Sequence, residues 1–207
     1  MQIDVTAARH SFGSTTLFDG LTASFLSNRL SALVGPSGSG KSTLLGLMAG
    51  YGQLDEGHVH FVGPGATRRQ PKPEFVAWVP QGANALGKRT ALDNVMIGAL
   101  ANGYSLRDAE SLSLSALRDV GLGDEIHKMV QLLSGGQVQR IAFARALAST
   151  RPVIFADEPS ASLDTDNTNN IARLLRELRH RVTIVVSTHD PILIAAAEHV
   201  IHLRQTG

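Results

Sequence analysis

Apolar residues follow two patterns along this chain, and the two patterns alternate. Short continuous apolar runs are typical of β-strands that are buried on both faces of a sheet. Elsewhere apolar residues recur at helical spacing, as at Ile171, Leu174 and Leu178. The predicted core strands are residues 30–34, 75–79, 152–156, 182–186 and 200–203, and the predicted helices are residues 43–48, 134–148, 171–178 and 192–197. Strands that alternate with helices indicate a largely parallel sheet.

The N-terminal part of the chain has a different pattern. Residues 1–34 are rich in alternating polar and apolar positions, as at Ile3 and Val5, which predicts half-exposed strands. Residues 57–62 add another strand of this kind. Residues 63–73 contain three prolines and two glycines, so we predict a loop there.

A third pattern separates the two halves of the core. From about residue 82 to residue 132, leucines such as Leu112 recur at helix-compatible spacing, which predicts an α-helical insertion. We therefore predict an α/β fold: a core with a mainly parallel sheet, an N-terminal antiparallel β subdomain and a helical subdomain. Residues 1–207 form a single domain in this interpretation, with the core and β subdomain in residues 1–80 and 133–207.

Composition narrows the possible functions. The chain has 207 residues, 43% of them hydrophobic and 18% charged, with a net charge of +1. The near-neutral charge argues against nucleic acid as a partner. There is no cysteine, which excludes disulfides and iron–sulfur clusters. No apolar run approaches the ~18 residues that span a bilayer, so a membrane role requires another polypeptide. The basic stretch from Arg68 to Lys72 is predicted to be solvated surface.

A glycine-rich run follows the first predicted core strand and fits the pattern G-x-x-x-x-G-K-[ST] of phosphate-binding loops. It consists of Gly35, Pro36, Ser37, Gly38, Ser39, Gly40, Lys41, Ser42 and Thr43. The glycines allow successive backbone N–H groups to surround an anion, and the following helix adds its N-terminal donors. Lys41 then reaches the β- and γ-phosphates, and the Ser42 hydroxyl is suited to Mg²⁺. The context predicts the core of a P-loop nucleoside-triphosphatase.

Two carboxylates, Asp157 and Glu158, follow the apolar strand 152–156. Ligands of an open parallel sheet bind at the carboxyl ends of its strands, so both acids are expected near the phosphates. Asp157 is placed to hold Mg²⁺ together with Ser42. Glu158, one residue further on, is expected to face the γ-phosphate, where a water molecule needs a base or an orienting acceptor.

A third motif gives the resemblance to a known family. Residues 133–137 read Leu-Ser-Gly-Gly-Gln, the signature of the ABC (ATP-binding cassette) ATPases, which this chain resembles along most of its length. Ser134 is expected to cap a helix whose glycines, Gly135 and Gly136, leave N–H groups exposed for an anion. In the family this segment, here Ser134 to Gln137, contacts the γ-phosphate held by the opposite subunit. The resemblance therefore implies a site shared by two copies of the chain.

Other family landmarks occur in the expected order. Gln81 is similar to the Q-loop glutamine, and residues 160–164 resemble the D-loop that runs along the dimer seam. His189 matches the switch histidine that contacts the γ-phosphate. Phe12 stands where the family usually has a tyrosine stacked on adenine, so it lacks the hydroxyl. Asn28 stands where glycine is usual, and asparagine tolerates the left-handed conformation.

The resemblance implies a mechanism for this chain. ATP is the bound nucleotide, and Mg²⁺ is held by Ser42, Asp157 and Gln81 through direct or water-mediated contacts. The residues expected to act in catalysis are Glu158, His189 and Lys41. A second copy supplies Ser134 to Gln137 and closes the site, so that ATP drives dimerisation.

The resemblance also implies a place in the cell. The leading interpretation is the ATPase subunit of a transporter at the cytoplasmic face of a membrane, with separately encoded transmembrane permease subunits. Residues 93–95 approximate the E-N-V segment of the compact lipoprotein-release and macrolide-efflux type. One alternative is a non-transport ABC ATPase that signals through a membrane protein, as in cell division. DNA- or ribosome-acting ABC ATPases usually carry insertions or second cassettes, and no such feature occurs here.

Overall fold

The computed structural model describes residues 1–203, and its centre is a five-stranded parallel sheet. The strands of this sheet are β3 (Leu30–Val34), β6 (Val76–Val79), β7 (Val153–Asp157), β8 (Thr183–Thr188) and β9 (His199–His202). Their order across the sheet is β6-β7-β8-β3-β9, and all the pairs are parallel. The predicted parallel core is confirmed. The last residues of the predicted domain, 204–207, lie outside the described residues.

A second, antiparallel sheet is built mainly from the N-terminal part of the chain. Its strands are β1 (Gln2–Phe12), β2 (Thr15–Phe25), β4 (Glu56–Val62) and β5 (Arg68–Arg69), in the order β2-β1-β4-β5. The prediction that residues 63–73 are only a loop was wrong. Arg68 and Arg69 pair with Val62 and Phe61, while their side chains stay exposed, as predicted for the basic stretch. A two-residue edge strand is held by backbone pairing and is too short to show a side-chain period, so the sequence could not predict it.

Helices cover the parallel sheet and fill the predicted insertion. They are α1 (Lys41–Met48), α2 (Ala91–Ala101), α3 (Leu106–Asp119), α4 (Gly135–Ala148), α5 (Thr165–Leu178) and α6 (Pro191–Ala196), and single 3₁₀ turns occur at Pro64–Ala66, Pro73–Phe75 and Val130–Leu132. Helix α5 begins six residues before the predicted residue 171. Its first turn is polar and therefore lacks an apolar stripe, but the Asp164 side chain caps it.

The central strands of the parallel sheet are buried on both faces, whereas the edge strand β9 is largely exposed. Along β7, Ile154 and Ala156 pack into a core shared with α2 to α5, whereas Val153 and Phe155 face a second core under the antiparallel sheet and α1. All four side chains are inaccessible to solvent. This two-sided burial explains why the central strands are mainly apolar in sequence.

A buried polar network ties α2 to α4 and to the segment that follows β6. The Asn94 side chain accepts a hydrogen bond from Leu86 N at 2.7 Å and donates to the Leu86 and Thr90 carbonyl oxygens. Arg145 of α4 donates to Asn94 O at 3.0 Å and to Asn94 Oδ1 at 3.1 Å. Burial lowers the pKa of the Arg145 guanidinium from its usual value. The network fixes the segment after β6 to the helices of the insertion.

Two helical glycines give opposite stability predictions. A Cβ at Gly98 of α2 would lie 2.1 Å from the Arg145 carbonyl oxygen, whereas a Cβ at Gly46 of α1 would meet nothing within 4 Å. Alanine stabilises a helix by about 1 kcal/mol relative to glycine, so Gly46→Ala is expected to raise the urea midpoint. Gly98→Ala must separate α2 from α4 and is expected to cost about 1–3 kcal/mol. Midpoint shifts of the same sign would contradict this packing.

Candidate functional site

A cleft of about 600 Å³ lies at the carboxyl ends of the parallel strands. Its lining residues are Leu17, Pro36, Ser37, Gly38, Gly40, Lys41, Ser42, Thr43, Gln81, Glu158, Ala161 and His189. Apart from Leu17 of β2, these residues follow β3, β6, β7 and β8, whose carboxyl ends meet at one edge of the sheet. The cleft therefore brings together the predicted phosphate loop, Gln81, Glu158 and His189.

The loop from Gly35 to Gly40 needs its glycines for two separate reasons. Gly38 and Gly40 have φ angles of 79° and 88°, in the left-handed region that side chains disfavour. Gly35 has an ordinary φ, but a Cβ there would lie 2.5 Å from Ser39 Oγ and 2.9 Å from the Leu203 carbonyl oxygen. Because Gly40 caps α1, the backbone donors of the first turn of α1 open toward the cleft.

Lys41 is buried, although it carries a charge. Its Nζ donates to the carbonyl oxygens of Gly35 at 2.9 Å and Pro36 at 3.2 Å, and lies 3.4 Å from Glu158 Oε1. The ammonium group is therefore held inside the curve of the loop. A phosphate oxygen entering the cleft would compete with these carbonyl oxygens for the same donor.

Asp157 ends β7 next to the first residues of α1. Its Oδ1 accepts hydrogen bonds from Ser42 Oγ at 2.9 Å and from Ser187 Oγ. Ser187 lies on the neighbouring strand β8 and orients the Asp157 carboxylate through this hydrogen bond, a role that the sequence did not predict. Asp157 and Ser42 therefore present two adjacent oxygen ligands, the type that Mg²⁺ prefers. Across residues 1–203, His, Asp and Glu side chains do not gather in threes at a point suited to a metal ion.

Glu158 has a strained backbone and a carboxylate aimed into the cleft. Its φ of 44° is unusual for a residue with a side chain and costs about 1–3 kcal/mol. The Glu158 N–H bonds to Ser187 O at 3.0 Å and Oγ at 3.2 Å, which holds this conformation. Its Oε2 lies 3.0 Å from Nδ1 of the exposed His189 but is not aligned for a hydrogen bond. No donor among residues 1–203 makes a hydrogen bond to this buried oxygen, so it can still accept one.

The signature segment forms the first turn of α4. Ser134 Oγ accepts from Gln137 N at 3.3 Å and Gln137 Oε1 accepts from Ser134 N at 3.0 Å, a reciprocal capping box. Gly135 is exposed, and a Cβ there would meet nothing within 4 Å. Residues 134–137 are absent from the cleft lining of the described chain. In one copy the signature therefore lies outside the phosphate cleft, although Gly135 lines a neighbouring pocket that shares Glu158 and Ala161 with the cleft.

The predicted adenine contact has the least support from the geometry of the cleft. Phe12 ends β1 with 80% of its surface exposed, and it does not appear among the described residues that line the cleft. Leu17 of β2 lines the cleft instead, and a Cβ added to Gly40 would lie 3.2 Å from the Leu17 Cβ. The sequence shows Leu17 only as one apolar position in an alternating strand, so its place beside the loop could not be predicted.

Comparisons with known proteins agree with this geometry. The family profile described as "ABC transporter" matches residues 18–161. The lipoprotein-releasing system ATP-binding protein LolD of Bacteroides thetaiotaomicron is 37% identical over 201 residues, which cover 93% of this chain and 92% of LolD. The macrolide export ATP-binding/permease protein MacB of Rhodopirellula baltica is 35% identical over 89% of this chain, which spans only 28% of MacB.

Solved structures include a similar fold. The ATP-binding cassette MJ0796, in a dimeric post-hydrolysis state bound to ADP and Pi, matches with a TM-score of 0.79 and 27% identity. That match covers 98% of this chain and 94% of the MJ0796 chain. None of the helices within residues 1–203 has the length and hydrophobicity that crossing a bilayer requires.

Proposed function

Because the chain belongs to the ABC transporter family of ATPases, we propose that two copies of it hydrolyse ATP at shared sites and thereby drive a separately encoded membrane subunit. The observation that best supports hydrolysis is the Glu158 carboxylate, buried between Lys41 and His189 beside the phosphate loop. A water molecule in this cleft would meet Glu158 Oε2, which accepts no hydrogen bond within residues 1–203, next to the expected position of the γ-phosphate.

ATP binds in this proposal with its phosphates in the loop of residues 35–43. The exposed N–H groups of the loop and of the first turn of α1 donate to phosphate oxygens. Lys41 exchanges its carbonyl partners for the β- and γ-phosphates. Phe12 remains a predicted stacking partner for adenine, since its exposed ring leaves one face available.

Mg²⁺ fits the oxygen pair formed by Ser42 and Asp157. Mg²⁺ in proteins is usually held by one or two carboxylates together with waters and substrate phosphates, so a larger protein cluster is not required. Ser42 Oγ and Asp157 Oδ1 would hold the ion, and Gln81 on the cleft wall would add a direct or water-mediated contact. When bound, the ion supplies positive charge to the phosphate oxygens.

Glu158 acts on the attacking water in the proposed reaction. The water oxygen forms a bond to the γ-phosphorus while the bond to the ADP oxygen breaks, and Glu158 accepts or orients the water proton. Lys41 stabilises the charge on the phosphate oxygens, and His189 holds the γ-phosphate from the open side of the cleft. The strained backbone at Glu158 keeps the carboxylate positioned before the substrate arrives.

The second copy completes the site. Gly135 and Ser134 present an exposed helix N-terminus that suits an anion, yet in one copy they lie outside the phosphate cleft. Two copies arranged head to tail would place each signature segment over the other copy's γ-phosphate. The similar cassette MJ0796 is dimeric in its ADP- and Pi-bound state, which supports a dimer of this chain.

A groove beside the helical insertion is a suitable contact for the membrane subunit. It has a volume of about 150 Å³ and is lined by Ala77, Trp78, Ile97, Gly98, Ala101, Arg145, Ala146, Ser149 and Arg151. Ile97 and Leu100 of α2 are large apolar side chains that remain about 40% exposed beside it. The Asn94–Arg145 network connects this groove to the segment after Gln81, so a partner seated there would sense movement at the ATP site.

Ala101 provides a test of the groove. Ala101→Arg fills the groove yet suits the C-terminal end of α2, where a positive charge is favourable. We expect tagged wild-type protein to recover a polytopic membrane protein from detergent-solubilised native membranes with Mg-ATP, and Ala101→Arg to recover about tenfold less. Ala195→Arg, at another exposed helical alanine, serves as the control. Recovery of only water-soluble proteins or nucleic acid would contradict the proposed function.

The transporter proposed here is of the lipoprotein-release type, with the ATPase at the cytoplasmic face of the membrane. LolD relatives match almost end to end, whereas MacB carries its permease in the same chain. The segment from Asp93 to Val95 approximates the E-N-V segment of this type, and in the structure Asp93 caps α2 while Asn94 organises the buried network. The signalling and nucleic-acid alternatives gain no support from these relatives.

A further inference from the structure

Helix α5 begins with a side-chain arrangement that fixes the orientation of one amide. Asp164 Oδ1 accepts hydrogen bonds from both Asn167 N at 2.8 Å and Asn167 Nδ2 at 2.9 Å. Because the amide nitrogen is held by Asp164, the amide oxygen Oδ1 must point away from this carboxylate. Asn167 is half-buried, although its neighbours Asp166 and Asn169 are exposed.

Asn167 Oδ1 points at the signature segment of the same copy. A Cβ added to Gly136 would lie 1.9 Å from this oxygen and 2.5 Å from Asn167 Cγ, so the amide lies directly against the Gly136 backbone. Gly136 is buried, while the adjacent Gly135 is exposed. Asn167 therefore contacts the signature turn at Gly136, while the neighbouring Gly135 remains open to solvent.

The chain runs from Glu158 to Asn167 through a short, internally bonded segment. Ala161 N donates to the Glu158 carbonyl oxygen at 3.2 Å, and Leu163 N donates to the Ser160 carbonyl oxygen at 2.9 Å. Ala161 also lines the phosphate cleft. These two hydrogen bonds order the chain between Glu158 and the Asp164 cap, to which Asn167 is bonded.

We propose that Asn167 is a positioning residue that couples the ATP site of one copy to the signature segment that the same copy gives to the other site. This inference rests on the proposed function, because the signature acts on a second nucleotide only in a dimer. Closure of one site would then set the orientation of Gly135 and Ser134 at the other, which is positive coupling between the two sites. The contact involves neither nucleotide directly.

The test uses dimerisation, which a merely structural role in one copy would not change selectively. The Glu158→Gln chain is expected to bind ATP and form a dimer that sedimentation or size-exclusion chromatography detects. Adding Asn167→Ala is expected to weaken ATP-dependent dimerisation about tenfold. The ATP affinity of the monomer and the melting temperature should stay close to those of Glu158→Gln. Asn170→Ala, an exposed residue of the same helix, is the matched control.

Two further readouts separate the possible results. Without the Glu158 change, Asn167→Ala is expected to lower the Hill coefficient of ATP hydrolysis towards one. Asn167→Asp keeps the shape but places a second carboxylate beside Asp164, and it should have the same effects if Asn167→Ala does not fold. Unchanged dimerisation and an unchanged Hill coefficient in a folded variant would overturn the coupling role. Failure of Glu158→Gln itself to dimerise with ATP would overturn the proposed function, and this inference with it.

Discussion

Glu158→Gln is expected to lower ATP turnover by on the order of 10²-fold or more while ATP binding is retained. The amide has the same shape but cannot accept the proton of the attacking water, and a lost general base typically costs this much. The carboxylate is suited to the role because its Oε2 is buried, lies 3.0 Å from His189 Nδ1 and makes no hydrogen bond within the described residues. The phosphate loop is unchanged by the substitution.

The measurement is steady-state phosphate release under saturating Mg-ATP, together with ATP affinity from a direct binding assay. Glu177→Gln, an exposed glutamate of α5, controls for the loss of one negative charge. Turnover within a few-fold of wild type in Glu158→Gln would contradict the assignment of the base. A matching loss of ATP affinity would instead indicate that Glu158 mainly organises Lys41, which lies 3.4 Å away.

The parts of the fold that could be predicted are those with a strong side-chain pattern. Strands β7 and β8 are buried on both faces, so their sequences are continuously apolar, and the predicted positions agree with the structure to within two residues. Asn28 has a φ of 52°, the left-handed conformation expected at that turn. The phosphate loop could also be predicted, because Gly38 and Gly40 adopt left-handed backbone conformations that few other residue types tolerate.

Features set by contacts between distant segments could not be predicted. The strand at Arg68 and Arg69 pairs through its backbone, and the support of Gly136 by Asn167 joins residues that are far apart in sequence. Leu17 lines the cleft beside the loop, a position that the sequence did not predict. The cleft brings Lys41 and Glu158 together as expected, but their 3.4 Å contact depends on where β3 and β7 lie in the sheet.

Lys41→Ala is expected to weaken ATP binding about 10- to 100-fold, the effect of losing charge-assisted hydrogen bonds worth about 1.5–3 kcal/mol. Lys41 Nζ is the buried cation held within the loop by Gly35 and Pro36, and alanine removes the donor without replacing it. The two carbonyl oxygens and Glu158 Oε1 then lose their partner, so the loop itself is also expected to loosen. Turnover should fall further than affinity, because the transition state carries more charge on the γ-phosphate oxygens.

Loss of folding and loss of binding can be separated by matched variants. Lys41→Arg keeps the positive charge but replaces a compact ammonium with a planar group that does not fit the curve of the loop, so it should restore affinity only in part. Lys72→Ala removes a lysine from the exposed basic stretch and should bind ATP as wild type does. ATP affinity is measured by titration calorimetry, and circular dichroism reports the melting temperature of each variant. Wild-type affinity in a folded Lys41→Ala chain would mean that the phosphates bind elsewhere.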